Sequence, residues 1–261
     1  MDEWFGLLRS LVLYWRPGRQ RALKRLYRPF VGPGDLVFDV GAHLGDRAWA
    51  FAALGAHVIA LEPQPRIASW LKCLVGGNER ITVRAEAAGS ESGRARLAIS
   101  HRTPTVSTLA HSWRRSIPNT NPGFRDVRWQ AEREVVVTTL DRLIETYGTP
   151  RFCKIDVEGY ELEVLRGLSE PVPGLSIEFV SGSLPVAVGC VRRLEELGAY
   201  EFNAVLGEER SFVFDDWQSG EAVLEWLEAG AGGASSGDLY ARLGTRPAGA
   251  SSASVQDGRG S

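Results

Sequence analysis

The chain is short of cysteine, of lysine and of long apolar runs, and each shortage closes off a class of explanation. Its 261 residues include three cysteines, Cys73, Cys153 and Cys190. They are odd in number and widely spaced. Neither a disulfide framework nor a zinc site follows from them, and a reducing cytoplasm is the expected compartment. Lysine occurs only at Lys24, Lys72 and Lys154, so arginine carries most of the positive charge, and the formal net charge is −2. That balance gives no general attraction to nucleic acid or anionic membrane. The four histidines, His43, His57, His101 and His111, have no metal-ligand spacing. The apolar stretch from Trp4 to Trp15 is interrupted by Arg9 and is too short to span a bilayer. Acidic residues precede it and no small-residue cleavage site follows, which argues against a signal peptide. Arg16, Arg19, Arg21, Lys24, Arg25 and Arg28 come next. Residues 1–31 therefore read as a basic amphipathic helical extension. It either rests on a membrane surface or, as expected here, packs as a lid with its arginines in water.

With 44% hydrophobic residues, the chain has enough apolar material for one sizeable core. The break at Gly32-Pro33-Gly34-Asp35 opens a main domain expected to run over 32–243. Strands are predicted at Leu36–Val40, Val58–Leu61, Ile81–Ala85, Phe152–Asp156 and Leu175–Val180. Helices are predicted at Asp46–Leu54, Pro65–Val75, Leu140–Tyr147, Tyr160–Leu168 and Pro185–Leu197. Strands alternating with helices imply an α/β fold with a doubly wound, mostly parallel sheet. Arg94–Ser100 and Arg133–Thr138 read as an antiparallel pair near the third strand. Tyr200–Leu206 and Arg210–Phe214 read as a hairpin. Ser219–Glu228 is a short amphipathic helix, and 236–242 can form a last strand. Residues 101–130, rich in Pro, Asn, Ser, Arg and aromatics, read as a long substrate or lid loop. The Gly, Ala and Ser composition of 244–261 predicts a disordered tail.

The most informative segment is Leu36-Val37-Phe38-Asp39-Val40-Gly41-Ala42-His43-Leu44-Gly45. An apolar strand ends in a carboxylate and turns through glycine into a helix. Glu62 follows about twenty residues later, at the end of a second apolar run. That order suits a nucleoside, with Glu62 on the ribose diol. The spacing lacks the middle glycine of G-x-G-x-x-G, and Asp39 at the mouth would repel a pyrophosphate. S-adenosylmethionine, with no phosphate and with an ammonium and a sulfonium, suits the loop better than a nucleotide. The remaining alternative is an ordinary turn with Asp39 capping the next helix. Asp39 and Gly41 would line the cofactor's amino-acid end, and Ala42 and Gly45 of the same loop are further cofactor-binding candidates. Gln64 and Ala87 stand where the adenine would lie, or serve ordinary loop roles.

A second motif, Phe152-Cys153-Lys154-Ile155-Asp156-Val157-Glu158-Gly159-Tyr160-Glu161, ends the fourth parallel strand with two carboxylates facing the same cleft. Together with Phe38–Asp46, Glu62-Pro63, Ala87-Ala88-Gly89 with Gly93, Thr139-Leu140-Asp141, Val164-Leu165-Arg166-Gly167 and Gly237-Asp238-Leu239-Tyr240-Ala241, it resembles the FkbM family of S-adenosylmethionine-dependent methyltransferases. The likeness covers roughly residues 30 to 243. It implies a Rossmann-like class I methyltransferase sheet of seven strands with an antiparallel last strand, and O-methylation of a hydroxyl on a sugar, glycan, polyketide or similar metabolite. Position 43, usually Asn in the family's pattern, is His here.

Methyl transfer to an alcohol needs the oxygen held in line with the sulfonium methyl, and a base for its proton. Asp156 is the leading catalytic candidate, with Glu158 and His43 also eligible. The alternative for both carboxylates is helix N-terminal electrostatics. The pair can also hold a hard cation, but no third ligand is evident, so no metal is assigned. Lys154, in an apolar strand, is expected to pair with Asp39 or Glu178. His101, His111, Trp113, Arg114, Arg115, Arg125 and Trp129 can grip a sugar or an anion, or simply decorate a solvated loop. The competing functions are a nucleic-acid methyltransferase and a non-catalytic binding protein that keeps the fold. The first is disfavoured by charge and by the lack of an Asn/Asp-Pro-Pro-aromatic motif, and the second by the joint presence of Asp39, Gly41, Glu62 and Asp156. The expected partner is a small-molecule or glycan acceptor, not nucleic acid.

Overall fold

A computed structural model of the chain describes residues 18–207 and 209–244, together with Val12 and Trp15. Strands β1 (Leu36–Val40), β2 (His57–Leu61), β3 (Ile81–Arg84), β7 (Phe152–Ile155), β8 (Gly174–Val180), β9 (Tyr200–Leu206) and β10 (Ser236–Leu243) form one sheet. Its order is β3-β2-β1-β7-β8-β10-β9. The β1, β2, β3, β7 and β8 pairings are parallel, and β10 runs antiparallel to both β8 and β9. Order reverses between β1 and β7, and ligands of doubly wound sheets bind at such a switch point. The central strands are mostly apolar on both faces because helices cover both, with Asp39, Lys154 and Glu178 as the charged exceptions.

Residue alternation along each strand divides the core in two. Phe38, Val40, Ile155 and Ile177 pack under α5 (Leu140–Tyr147), α6 (Glu161–Arg166), α7 (Leu184–Leu197) and α8 (Gly220–Glu228). Val37, Val58 and Phe152 pack under α1 (Arg19–Tyr27), α2 (Asp46–Ala53) and α3 (Pro65–Val75). The start of α3 is set by proline in its first turn, and α5 by Thr139, whose side chain accepts from the Arg142 amide.

α1 settles part of the question about the N-terminal extension. Leu23, Leu26 and Tyr27 are buried in the second core, so the apolar face of this helix is used within the fold. Arg21, Arg25 and Arg28 are exposed. Arg19 is not in water: it is buried and donates to Asp46 at 2.7 Å. Most of the Trp4–Trp15 stretch and all of 245–261 lie outside the described residues. Among the described residues no helix is long and apolar enough to cross a membrane.

Two expectations fail. Arg210–Phe214 forms no strand; β9 instead pairs with β10, so the hairpin is absent. Segment 101–130 is not a bare loop. It contains α4 (His111–Thr120), whose Trp113 and Ile117 are buried at i, i+4 spacing. The antiparallel pair does form, as β5 (Gly93–Ile99) with β6 (Ala131–Thr138). It makes a separate three-stranded sheet completed by β4 (Ala87–Ala88), immediately after β3.

Candidate active site

The turn after β1 is built by backbone. The amides of Gly41 and Ala42 both donate to the Leu61 carbonyl at the end of β2, at 3.0 and 2.8 Å. Gly41 has φ +82°, and a Cβ there would lie 1.8 Å from the Asp156 carbonyl oxygen. Only glycine lets the β1 and β7 ends approach this closely. His43 follows with φ +48°, in the left-handed region where Asn, Asp and His are the enriched non-glycine residues. The exchange of Asn for His at this position therefore keeps a backbone requirement. Burial pushes the His43 imidazole down to about 4, which makes it a weak proton acceptor.

Glu62, at the end of β2, is 3% exposed. Its Oε2 accepts from the His43 amide at 3.1 Å and its Oε1 from the Gln64 amide at 2.8 Å. Burial drives its carboxyl up to about 7, against those hydrogen bonds, which lower it. Gln64 is committed to the neighbouring segment: its Nε2 donates to the Pro104 carbonyl, and its Oε1 accepts from Ser107.

At the end of β7, Lys154 and Asp156 lie two residues apart and share a face. The buried Lys154 Nζ donates to Asp156 Oδ2 at 2.7 Å. Its partner is thus Asp156 rather than Asp39 or Glu178. Burial raises the Asp156 carboxyl, but the nearby positive charges of Lys154 and Arg47, together with the Lys154 hydrogen bond, hold it below the ordinary value. Glu158 has φ +56°, and its carbonyl accepts from the Thr108 hydroxyl at 2.7 Å. Burial, then the charges of Asp156 and Glu161, push its carboxyl far up. Glu161, in the first turn of α6, holds the preceding turn: its Oε1 accepts from the Val157 and Gly159 amides.

One cavity at the carboxyl edge of the sheet joins Gly41, Ala42, His43, Glu62, Gln64, Ala87, Asp156 and Glu158. Two expected residues do not reach it. Asp39 is fully buried, and neither of its oxygens has a hydrogen-bond partner. It sits on the Val37 face of β1, opposite Phe38 and Val40, and burial pushes its carboxyl up to about 6. Gly45 faces away: a Cβ there would lie 2.5 Å from Leu71 Cδ1, so its role is to seat α2 against α3. Segment 101–130 contributes Thr105, Ser107, Thr108 and Leu109 to the cavity, not its tryptophans or arginines. Trp113 packs against Phe124 and Trp129, and Trp129 Nε1 donates to the Val106 carbonyl. Sequence reasoning also missed Arg47 and Asp238 as wall residues, and named Glu178 above only as a partner for Lys154. Position at a strand's carboxyl edge was the available signal for Glu178.

The residues present fit S-adenosylmethionine. A carboxylate offers about four lone-pair positions, and backbone amides fill only part of that capacity at Glu62, leaving room for a ribose diol. The cationic wall residues are already engaged, Lys154 with Asp156 and Arg47 near Asp46 at 3.7 Å. The cavity is thus better matched to a cation than to a phosphate.

Comparison with known proteins agrees. The chain is 26% identical over 148 residues to the hexuronic acid methyltransferase AglP of Haloferax volcanii, covering 56% of this chain. It spans about half (54%) of the length of that curated relative. Among solved structures, a precorrin-6y C5,15-methyltransferase from Geobacter metallireducens superposes with TM-score 0.45 at 11% identity, over 87% of this chain and 86% of the other. An O-methyltransferase from Bacillus cereus gives TM-score 0.41 at 15% identity, over 87% and 81%. Values this low bear on neither reaction nor acceptor. The model of the FkbM methyltransferase domain matches residues 39–229, most of the sequence. The chain belongs to the FkbM methyltransferase family.

Proposed function

We propose that the protein methylates a hydroxyl oxygen of a sugar or glycan acceptor. The observation that carries this reading is the placement of Glu62 and Asp156 on one cavity, at the ends of β2 and β7. S-adenosylmethionine, when bound, supplies an electrophilic methyl group. Glu62 would accept from the ribose hydroxyls and set the cofactor's register. Asp156, fixed by Lys154, accepts a hydrogen bond from the acceptor hydroxyl and orients its oxygen. As the new C–O bond would form and the methyl–sulfur bond break, its electron pair staying on a neutral thioether sulfur, the hydroxyl proton would become strongly acidic and pass to the Asp156 carboxylate, so a depressed proton affinity does not prevent the transfer. Asp156, Glu158, Glu178 and Asp238 line this end against only Lys154 and Arg47. An excess of carboxylates favours a neutral polyhydroxyl acceptor over an anionic one. The similarity to a hexuronic acid methyltransferase supports a sugar.

The test is methyl transfer from labelled S-adenosylmethionine to a panel of neutral sugars, uronic acids, glycolipids, a macrolide and transfer RNA. The expected product is a sugar methyl ether, with kcat reduced about a hundredfold or more in Asp156→Asn at unchanged cofactor affinity. A methyl ester on a carboxylate, a methylated nucleotide, or full turnover by Asp156→Asn overturns the reading.

A further inference from the structure

The acceptor end of the cavity contains a polar cluster larger than orienting one hydroxyl requires. Asp156 follows β7 and Glu178 lies on the adjacent strand β8. Each offers an oxygen within 4.8 Å of one on the other. Two carboxyls this close hold either a shared proton or a cation. A second observation comes from a different segment. Glu158 is 8% exposed, and its Oε2 is buried with no hydrogen-bond partner. One oxygen from each of Asp156, Glu158 and Glu178 lies within 4.8 Å of the other two. The Oε2 of Glu178 is also buried without a partner. Leaving such an oxygen unsatisfied carries a desolvation cost of about 1–3 kcal/mol, more when it is charged.

We infer that Asp156, Glu158 and Glu178 form a divalent-cation site at the acceptor end of the cavity, of the hard, oxygen-ligated kind taken by Mg²⁺, Mn²⁺ or Ca²⁺. Three carboxylate oxygens leave positions free for water or for two neighbouring hydroxyls of a sugar, and hard cations keep such ligands readily. A cation there offsets the excess of carboxylates and gives the acceptor a second point of attachment beside Asp156. The Lys154 ammonium lies against Asp156 Oδ2, which leaves Asp156 Oδ1 as that residue's coordinating atom. The acceptor-binding part of this inference rests on the function proposed above; the cation site itself does not.

The experiment is Mn²⁺ titration of the full chain, followed by electron paramagnetic resonance and calorimetry, with neither cofactor nor acceptor present. The expected result is one ion per chain with saturation below about 1 mM. Affinity should fall at least about tenfold in Glu178→Gln and in Glu158→Gln, with Mg²⁺ competing for the same site. Absence of Mn²⁺ binding by the wild-type chain overturns the inference, and so does binding that both variants leave unchanged. Because the wild-type measurement alone can overturn it, a variant that fails to fold does not rescue it. Calorimetry with S-adenosylmethionine on the same sample keeps the two claims apart. Cofactor binding without Mn²⁺ binding removes the cation site and leaves methyl transfer standing, whereas Mn²⁺ binding without transfer to any sugar removes the acceptor reading alone.

Discussion

The two walls of the cavity are built on opposite plans. On the β2 side both oxygens of Glu62 already accept from backbone amides. On the β7–β8 side, Glu158 and Glu178 each keep a buried oxygen with no hydrogen-bond partner. The first wall is organised before any ligand arrives, so little ordering entropy remains to be lost on binding. The second has carboxylate capacity left open, and a ligand supplies what it lacks. A cofactor that is always the same suits the first plan, and an acceptor whose contacts complete the site suits the second.

The largest test of this contrast is to separate the walls. In Gly41→Ala, the new methyl would collide with the Asp156 carbonyl at 1.8 Å, and φ is +82°. Strain and overpacking together should cost about 4 kcal/mol, read by denaturant unfolding, and cofactor binding should be lost in calorimetry. Near-native stability would mean that the two strand ends are not coupled as described.

The next effect belongs to the organised wall. Burial raises the Glu62 carboxyl from 4.5 to about 7, so the folded state holds the proton more tightly than the unfolded one. Its contribution to stability is complete below about 4.5 and is lost as pH rises to about 7. Glu62→Gln should therefore remove a decline in unfolding free energy on the order of 3 kcal/mol between pH 5 and pH 8. Cofactor affinity should rise over the same window in the wild type, because the ribose hydroxyls favour the ionised carboxylate. An identical pH profile in the two proteins would contradict the burial argument.

A smaller effect tests the open wall. Lys154→Met leaves the Asp156 carboxylate without its ammonium. Complete burial would make that loss about 3–5 kcal/mol. Asp156 is 23% exposed at its side chain, so about 2 kcal/mol is expected. The double variant Lys154→Met with Asp156→Asn should regain much of it, as a thermal-unfolding cycle would report. Equal losses in the single and double variants would mean that the pair is not what stabilises this strand end.

The sequence made local structure legible and non-local pairing much less so. α3 and α5 were predicted to the residue at both ends, because a first-turn proline and a Thr139 cap mark where each begins. β9 was legible as a strand, but its partner lies some thirty residues further on in β10, and nothing in the intervening residues encodes that choice. Arg210–Phe214 offered a nearer match of the same composition and was wrong for that reason. α4 was hidden by its internal Pro118 and by the absence of a capping side chain, although Trp113 and Ile117 at helical spacing were a usable signal. At the site, the strand-end residues were legible and depth along the strand was not. Asp39 shares its face with Lys154 across the β1–β7 register, yet it lies two residues short of the Gly41 turn and does not reach the cavity. That Glu178 joins Asp156 and Glu158 in one cluster follows only once β7 and β8 are known to be neighbours.

The smallest expected effect decides what His43 contributes. It borders the cavity, so a chemical role is geometrically open. Two facts weigh against that role. Its imidazole is pushed down to about 4, where it takes up a proton poorly at neutral pH. Its φ of +48° also accounts for its residue type, since Asn and His both tolerate this conformation. His43→Asn should thus change stability by no more than about 0.5 kcal/mol and keep cofactor affinity and turnover within about twofold. His43→Val, β-branched and poorly tolerated at positive φ, should cost more stability than His43→Asn although both remove the imidazole. If turnover instead collapsed equally in both variants while unfolding free energies stayed level, the ring would be acting on the reaction. The proton acceptor would then lie on the organised wall, and the division of labour between the two sides would have to be redrawn.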